Sequence, residues 1–321
     1  MAITVTGGIP TWFIDQFEST LQHVQQQTDC LFGPAVRRTT IIGAEDKAFD
    51  IMGSLTLVAK TERNGETPTT DATAQRRWVT ASPFHQGILK DRDDDLQMLI
   101  DPQGDFVIDL VSAAHRLEDD IIVAAFDADV VSGRRYGDSS IKWAESGGNT
   151  KYTTPTSGGR VIAHDCASGN CNASDTGMTV EKVQLVLEYF AVNETKRDEQ
   201  IFGAISPRQA TNLFGQEEYV SIDYNDSKPL VSGYPLKKWM GVNWIISNKI
   251  VLGSSNDLDG NTNVYRCPFW KQSAIKLATR SNFSIQISDR PDLSHAQQIY
   301  AHMSMGAART DEDLVCFVEC Q

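Results

Sequence analysis

The chain has 321 residues, of which 40% are hydrophobic and 22% charged, so it can bury a substantial core and has the composition of a folded protein. Its 42 acidic residues against 29 Lys and Arg give a formal charge of -13, which excludes strong charge-driven adhesion to nucleic-acid phosphates. No apolar run reaches membrane-spanning length and the N-terminus lacks a signal-peptide pattern, so we expect a protein that is made and used in cytoplasm.

The first predicted elements are a short helix and a long hairpin. Residues 11–27 place apolar side chains at helical spacing, which predicts an amphipathic helix that another surface must cover. Residues 36–58 are mostly strand-forming, and 76–90 form the predicted return arm, with Asn64-Gly65 as the strongest turn signal between them. Because the polar tip offers few apolar contacts to offset the entropy of ordering it, we expect this hairpin to lie on a neighbouring molecule.

The next segment, residues 101–131, is predicted to form one long amphipathic helix. Asp101 suits the N-cap, Pro102 suits the first helical position, and Gly133 offers the stop. The acidic face of this helix is interpreted as solvated or subunit-facing. The preceding acidic run, residues 91–95, is interpreted as a solvated cap rather than a metal site, because a bare run does not specify convergent ligands.

The second half of the chain predicts a compact α/β lobe. A Gly/Ser/Thr-rich surface loop at 132–177 precedes a helix that Thr179 caps. A buried strand at 201–206 follows, and then a helix that Ser206-Pro207 opens and Gly215 ends. Further strands are predicted at 242–248, 264–270 and 283–288 and in the closing stretch from 296, and we expect strands from the two ends of the chain to share a sheet.

The sequence predicts no catalytic, cofactor-binding or metal site. It contains no nucleophile elbow, Walker loop, dinucleotide-binding glycine motif or zincin motif. Six cysteines are too sparse for a disulfide-dense scaffold, so reduced thiols are expected. A zinc site and oxidative cross-linking through the terminal cysteines are both disfavoured, and Arg266 at the last ligand position excludes an EF-hand at 255–266. The residues weighed for these sites are His164, Asp165, Cys166, Cys171, Cys316 and Cys320.

Four segments occur in a characteristic order along the chain: ERNGETPTTDATAQRRWVT, LQMLIDPQGDFV with RLEDDIIVAAF, DYNDSKPLVSGYPLKKWMGVNWIISN, and ISDRPDLSHAQQIYAHMSMGAARTDEDLV. Together they resemble the major capsid proteins of tailed bacteriophages, which share the Hong Kong 97 fold. The likeness runs from Trp12 to nearly the end of the chain and weakens between Ser132 and Asp175.

The resemblance implies an α+β fold of this type with five regions. Residues 1–43 would be the N-arm and residues 44–90 an extended β-hairpin, the E-loop. Residues 91–177 would be the P-domain, with its long spine helix at 101–131. Residues 178–280 would be the α/β A-domain, and residues 281–321 would return to the P-domain.

The resemblance also implies a function and partners. The chain would self-assemble through hexamers and pentamers into an icosahedral head shell that encloses double-stranded DNA without binding it specifically. The shell would be part of the virion, built in the host bacterial cytoplasm with a separate scaffolding protein, a portal protein and, as a further partner, a decoration protein. We expect no fused scaffolding segment, because the match begins within the first dozen residues. The predicted subunit-interface residues are Glu66, Arg76, Arg77, Trp78, Asp119 and Asp120.

Two alternatives remain open from the sequence. An encapsulin-like compartment uses the same fold, but it would be a cellular shell around cargo. A soluble enzyme with a dispersed site in the α/β lobe would leave no local motif, and would be a monomer or small oligomer.

Overall fold

The structure is a computed structural model that describes residues 27–53, 55–63, 65–67, 69, 71–90, 103–143, 150–152, 159–167, 170–171, 176–193, 198–217, 238–250, 264–293 and 295–321. Several predicted features lie outside these residues: the N-terminal helix up to residue 26, the acidic run 91–95, the cap at Asp101 and most of the excluded calcium loop.

The described chain has an α+β arrangement in which a few helices are placed between groups of strands. The helices are α1 (Gln103–Ala124), α2 (Val180–Val192) and α3 (Pro207–Phe214). The strands are β1 (Arg37–Thr40), β2 (Asp46–Met52), β3 (Ala74–Thr80), β4 (Ser82–Lys90), β5 (Val130–Ser132), β6 (Ser139–Ile141), β7 (Val161–Ile162), β8 (Cys166–Ala167), β9 (Asn170–Cys171), β10 (Ile201–Ile205), β11 (Lys238–Trp239), β12 (Val242–Ile246), β13 (Tyr265–Lys271), β14 (Ile275–Arg290), β15 (Ala296–Arg309) and β16 (Val315–Cys320). None of the described helices is long and apolar enough to cross a membrane.

Three larger sheets organise these strands. The long sheet has the order β1-β14-β15-β4, the lobe sheet β11-β12-β10-β13-β16-β7, and the arm sheet β2-β3-β5-β6, while β8 and β9 pair separately. In the long sheet β1 runs parallel to β14, and β15 is antiparallel to both of its neighbours. The prediction that strands from the two ends of the chain share a sheet is confirmed.

Helix α1 lies on the long sheet, with Leu110 packed against Ile299 and Ala301. The helix ends at Ala124 rather than at residue 131, which corrects the sequence prediction. The valines of β5 instead pair with β6, as suits β-branched side chains. Apolar spacing continues past the true helix end, so the pattern alone extends the helix too far.

The main core joins α1 to the lobe sheet around Trp270, which is fully buried. Its ring lies 4.6 Å from that of Phe126 and 6.0 Å from those of Phe32 and Phe202, measured between centroids. Its indole N–H donates to the carbonyl oxygen of Ala35 at 2.9 Å. One side chain thus packs together the N-terminal segment, the end of α1 and two strands of the lobe sheet.

The predicted hairpin is confirmed at its base, where β2 and β3 pair from Asp46↔Thr80 to Met52↔Ala74. Beyond this base every described residue up to Arg76 is exposed, so the hairpin has no core of its own. We call residues 46–80 the arm. After Ala81 the chain enters the long sheet as β4, which pairs with β15.

The closing segment divides between two sheets, which differs from the expected return of residues 281–321 to a single domain. Strand β15 belongs to the long sheet, whereas β16 pairs antiparallel with β13 in the lobe sheet. The loop at 132–177 contributes short strands, among them β7 beside β16. Cys166 is disulfide-bonded, so the expectation of reduced thiols is wrong there, and its register partner across β8 and β9 is Cys171.

Candidate assembly surfaces

The arm exposes apolar side chains that a monomer would normally bury. Met52 is 72% exposed, Leu55 60%, Leu57 102% and Val58 70%. They follow one another along the outgoing side of the arm, from the end of β2 towards its polar tip. Contiguous exposed apolar surface of this kind typically marks a contact with another molecule.

Three predicted interface residues lie on the arm with exposed or half-exposed side chains. Glu66 is exposed at the tip. Arg76 holds Asp50 of the opposite strand through two hydrogen bonds of 2.7 and 2.9 Å, and these bonds lower the pKa of the Asp50 carboxyl. The indole of Trp78 donates to the carbonyl oxygen of Gly133 at 3.0 Å and packs edge-on against Tyr136.

Arg77 is buried, which sets it apart from its neighbour Arg76. Its guanidinium donates to both carboxylate oxygens of Glu312, at 2.7 and 2.5 Å, and only 2% of the residue is exposed. Burial is the largest single effect and raises the pKa of Glu312, but the hydrogen bonds and charge of Arg77 together with the charge of Arg309 outweigh it, and the pKa lies below its ordinary value. The expected intersubunit role therefore does not fit Arg77, because its side chain is buried inside its own subunit and is not accessible to another one.

Asp119 is fully buried, although the sequence placed it on the polar face of the helix. Its carboxylate accepts hydrogen bonds from the backbone N–H groups of Leu31 and Phe32 at 3.1 and 3.0 Å, from the Cys30 thiol at 3.0 Å and from Gln27. It fastens residues 27–32 to α1. The next residue, Asp120, is the exposed one of the two and pairs with Lys249.

An apolar groove lies between α1 and β4, on the side of α1 away from residues 27–32. Its cavity volume is about 360 Å³, and Leu110, Leu117, Phe84 and Met303 line it together with small alanines of the helix. A cavity of about 150 Å³ already holds a benzene ring, so this groove has room for two aliphatic side chains.

The structure offers no support for a metal centre in the part of the chain it describes. No group of three or more His, Cys, Asp or Glu side chains there could hold an ion. Cys166 is not a free thiolate because it is disulfide-bonded. Cys316 and Cys320 are fully buried, so the folded subunit presents neither for cross-linking to another subunit.

Sequence and structure comparisons agree on the class of protein. The family described as phage capsid protein matches residues 9–321, whereas no curated protein sequence matches the chain. The capsid structure of cyanophage P-SCSP1u superposes with a TM-score of 0.71 at 12% identity, over 97% of this chain and 93% of that one. The mature capsid of bacteriophage PhiM1 superposes with a TM-score of 0.69 at 11% identity, over 96% of this chain and 92% of that one.

A third capsid, that of cyanophage Pam1, superposes with a TM-score of 0.68 at 14% identity over 98% of both chains. These likenesses confirm the predicted Hong Kong 97-type fold. Neither the encapsulin-like nor the enzyme alternative is favoured, since the family match spans nearly the whole chain. The chain therefore belongs to the phage capsid protein family and is a shell protein of the virion.

Proposed function

We propose that this chain is the major capsid subunit, which assembles through hexamers and pentamers into an icosahedral head shell around double-stranded DNA. The observation that carries the proposal is the projecting arm, whose apolar side chains have no partner surface among the described residues. An arm without a core is marginal alone, because few contacts offset its ordering entropy. Covering by a neighbouring subunit supplies those contacts.

The arm and the groove beside α1 are complementary surfaces on one subunit. A contact between two different patches is heterologous, and repeated around a rotation axis it closes into rings. We place Leu55 and Leu57 of one subunit in the groove of its neighbour. Each leucine that moves from water into such a site contributes about 1.5–3 kcal/mol, so the pair contributes about 3–6 kcal/mol per contact.

Polar contacts add specificity to this arrangement. We retain Glu66, Arg76, Trp78 and Asp120 as interface residues, because their side chains are exposed or half-exposed. Exposed ion pairs contribute little affinity individually, but they orient an approaching partner. Arg77 and Asp119 instead act within the subunit.

The remaining partners follow from the family resemblance. Assembly takes place in the host bacterial cytoplasm with a separate scaffolding protein and a portal protein, and a decoration protein is a further partner. The formal charge of -13 supports a lining along which packaged DNA slides without specific binding. The subunit is structural and has no catalytic role.

Size-exclusion chromatography followed by negative-stain electron microscopy tests the proposal, with the chain expressed alone and together with its neighbouring genes. Shells, tubes or rings of hexamers are expected. Leu55→Ser/Leu57→Ser should abolish them while circular dichroism shows a folded subunit, and Val192→Ser, which changes a partly exposed valine outside the arm, should not. A clean monomer under both expression conditions, or normal shells from the double variant, would contradict the proposal.

A further inference from the structure

A buried ionic cluster lies where the arm joins the body of the subunit. Every described residue from Met52 to Arg76 is exposed, and Arg77 is the first buried residue on the return strand. Both terminal nitrogens of Arg77 donate to the Glu312 carboxylate, and one of them also reaches the carbonyl oxygen of Arg309 at 3.4 Å. Glu312 lies in the turn between β15 and β16, 235 residues further along the chain.

A second arginine supports Glu312 from the body side. Arg309 is fully buried, and its Nε lies 3.3 Å from a carboxylate oxygen of Glu312. One of its terminal nitrogens donates to the carbonyl oxygens of Phe126 and Ala128 just past the end of α1, at 2.8 and 3.0 Å. Its guanidinium stacks 4.6 Å above the Trp143 ring. The cluster therefore connects the arm strand to three separate segments of the body.

The neighbouring pair of Arg76 and Asp50 shows what is distinctive about this cluster. Both of those residues belong to the arm, so their ion pair moves with the arm and cannot fix the direction of the arm relative to the body. Arg77 reaches out of the arm to a carboxylate that the body holds rigidly. A bidentate guanidinium–carboxylate pair is directional, since two parallel hydrogen bonds fix the relative orientation of both groups.

Backbone pairing alone constrains the arm root weakly. Strand β3 meets β5 through the single register pair Arg77↔Ser132, and the chain leaves the arm sheet after Thr80. Buried ion pairs bring little net stability, because desolvation of the charges offsets their attraction, and apolar replacements of similar volume are often neutral. The main effect expected of this cluster is therefore to fix the orientation of the arm relative to the body.

We propose that Arg77 and Glu312 form a latch that fixes the direction in which the arm leaves the subunit, with Arg309 holding the carboxylate in place. The inference rests on the proposed function in one respect: the fixed direction matters because the arm must meet the groove of a neighbour. The latch residues are positioning residues and do not themselves contact that neighbour. Releasing the latch leaves a folded body with an arm that samples several directions, and such subunits assemble with errors.

Hydrogen exchange of the unassembled subunit, followed by mass spectrometry, tests the latch directly. Glu312→Gln and Arg77→Met should each raise exchange in β2 and β3 by about tenfold or more, while β10, β12 and β13 stay unchanged, because only the local opening becomes easier. The double variant should raise exchange no further than the single variants, since all of them remove the same interaction and the double variant leaves neither partner of the pair buried without the other. Arg76→Met is the matched control, being adjacent on the same strand but exposed, and should leave body and root exchange unchanged.

Arg77→Lys is a milder variant for use if Glu312→Gln or Arg77→Met fails to fold. It keeps the positive charge but loses the bidentate hydrogen-bond geometry. It should give an intermediate rise in exchange at the arm root. Equal rises in the lobe strands, or no rise at the root in any variant, would overturn the latch. Electron microscopy of assembled material should show irregular or open shells from Glu312→Gln and regular shells from Val192→Ser, which lies outside the arm, and regular shells from both variants would also overturn the latch. If the wild-type chain makes no shell at all, the proposed function fails while hydrogen exchange still decides the latch.

Discussion

Asp119 provides the sharpest test of the architecture, because one carboxylate holds the N-terminal segment on α1. In Asp119→Ala the buried N–H of Phe32 and the partly buried N–H of Leu31 both lose their acceptor. A buried donor left unsatisfied costs about 1–3 kcal/mol, and water reaches Leu31 more easily, so the expected loss of stability is about 2–5 kcal/mol. For a chain of 321 residues that corresponds to a fall in Tm of about 3–7 °C.

Denaturant unfolding of the unassembled subunit measures this loss, with Asp120→Ala as the control. Asp120 is adjacent in sequence but exposed, and its pair with Lys249 is expected to contribute at most about 1 kcal/mol. The loss of stability in Asp119→Asn should lie between those of Asp119→Ala and Asp120→Ala. The remaining carbonyl oxygen of the Asn side chain still accepts a hydrogen bond, while its amide N–H groups face the other donors.

A second readout follows from the Cys30 thiol. Burial raises its pKa first of all, and the hydrogen bond to Asp119 raises it further, so the thiol is unreactive in the native subunit. Removing the carboxylate should lower that pKa and loosen residues 27–32, and labelling of Cys30 by a thiol reagent should accelerate. Equal stability of Asp119→Ala and Asp120→Ala, together with unchanged labelling, would refute the assignment.

Three further predictions address other parts of the fold. Gly306→Ala should prevent soluble expression or greatly lower Tm, since an added methyl group would overlap with the carbonyl oxygen of Thr80, where β15 crosses the arm root. Burial lowers the pKa of Lys182, so the folded state releases that proton at lower pH than the unfolded state. The free energy of unfolding of the wild type should therefore increase relative to that of Lys182→Met as the pH rises towards the ordinary pKa of lysine. Parallel curves of unfolding free energy against pH for the two proteins would contradict this. Charge reversal of Arg76 should impair shell formation without changing Tm, because Arg76 lies on the exposed arm, and normal shells on electron micrographs would count against the contact.

Local signals in the sequence were sufficient for the lobe helices. Thr179 and Ser206 each cap a helix at the predicted position, and Pro207 and Gly215 bound α3. These signals act over three or four residues, so no distant contact has to be known. The end of α1 could not be predicted in this way, because the residues past Ala124 keep apolar helical spacing. What ends the helix depends on contacts made outside it: β5 pairs with β6, and the carbonyl oxygens of Phe126 and Ala128 accept hydrogen bonds from Arg309.

The interface residues show the same division between residue type and environment. Asp119 and Asp120 are identical and adjacent, and only the path of residues 27–32 makes one buried and the other exposed. Two of the donors that Asp119 satisfies are backbone N–H groups, which no residue type in the sequence reveals. Arg76 and Arg77 are likewise identical and adjacent, with one exposed and one buried. The alternation of side chains along a strand predicts that they lie on opposite faces, but it does not reveal which face the body covers.

Stability and assembly are encoded in separate parts of this chain. The buried core surrounds Trp270 and involves the lobe sheet, the end of α1 and Phe32, and the arm contributes almost nothing to it beyond its root. Substitutions on the arm can therefore change contacts between subunits while the subunit stays folded. Arg77 lies at the boundary between the two parts, and under the proposed latch its pair with Glu312 would link the fold of one subunit to the position of the next.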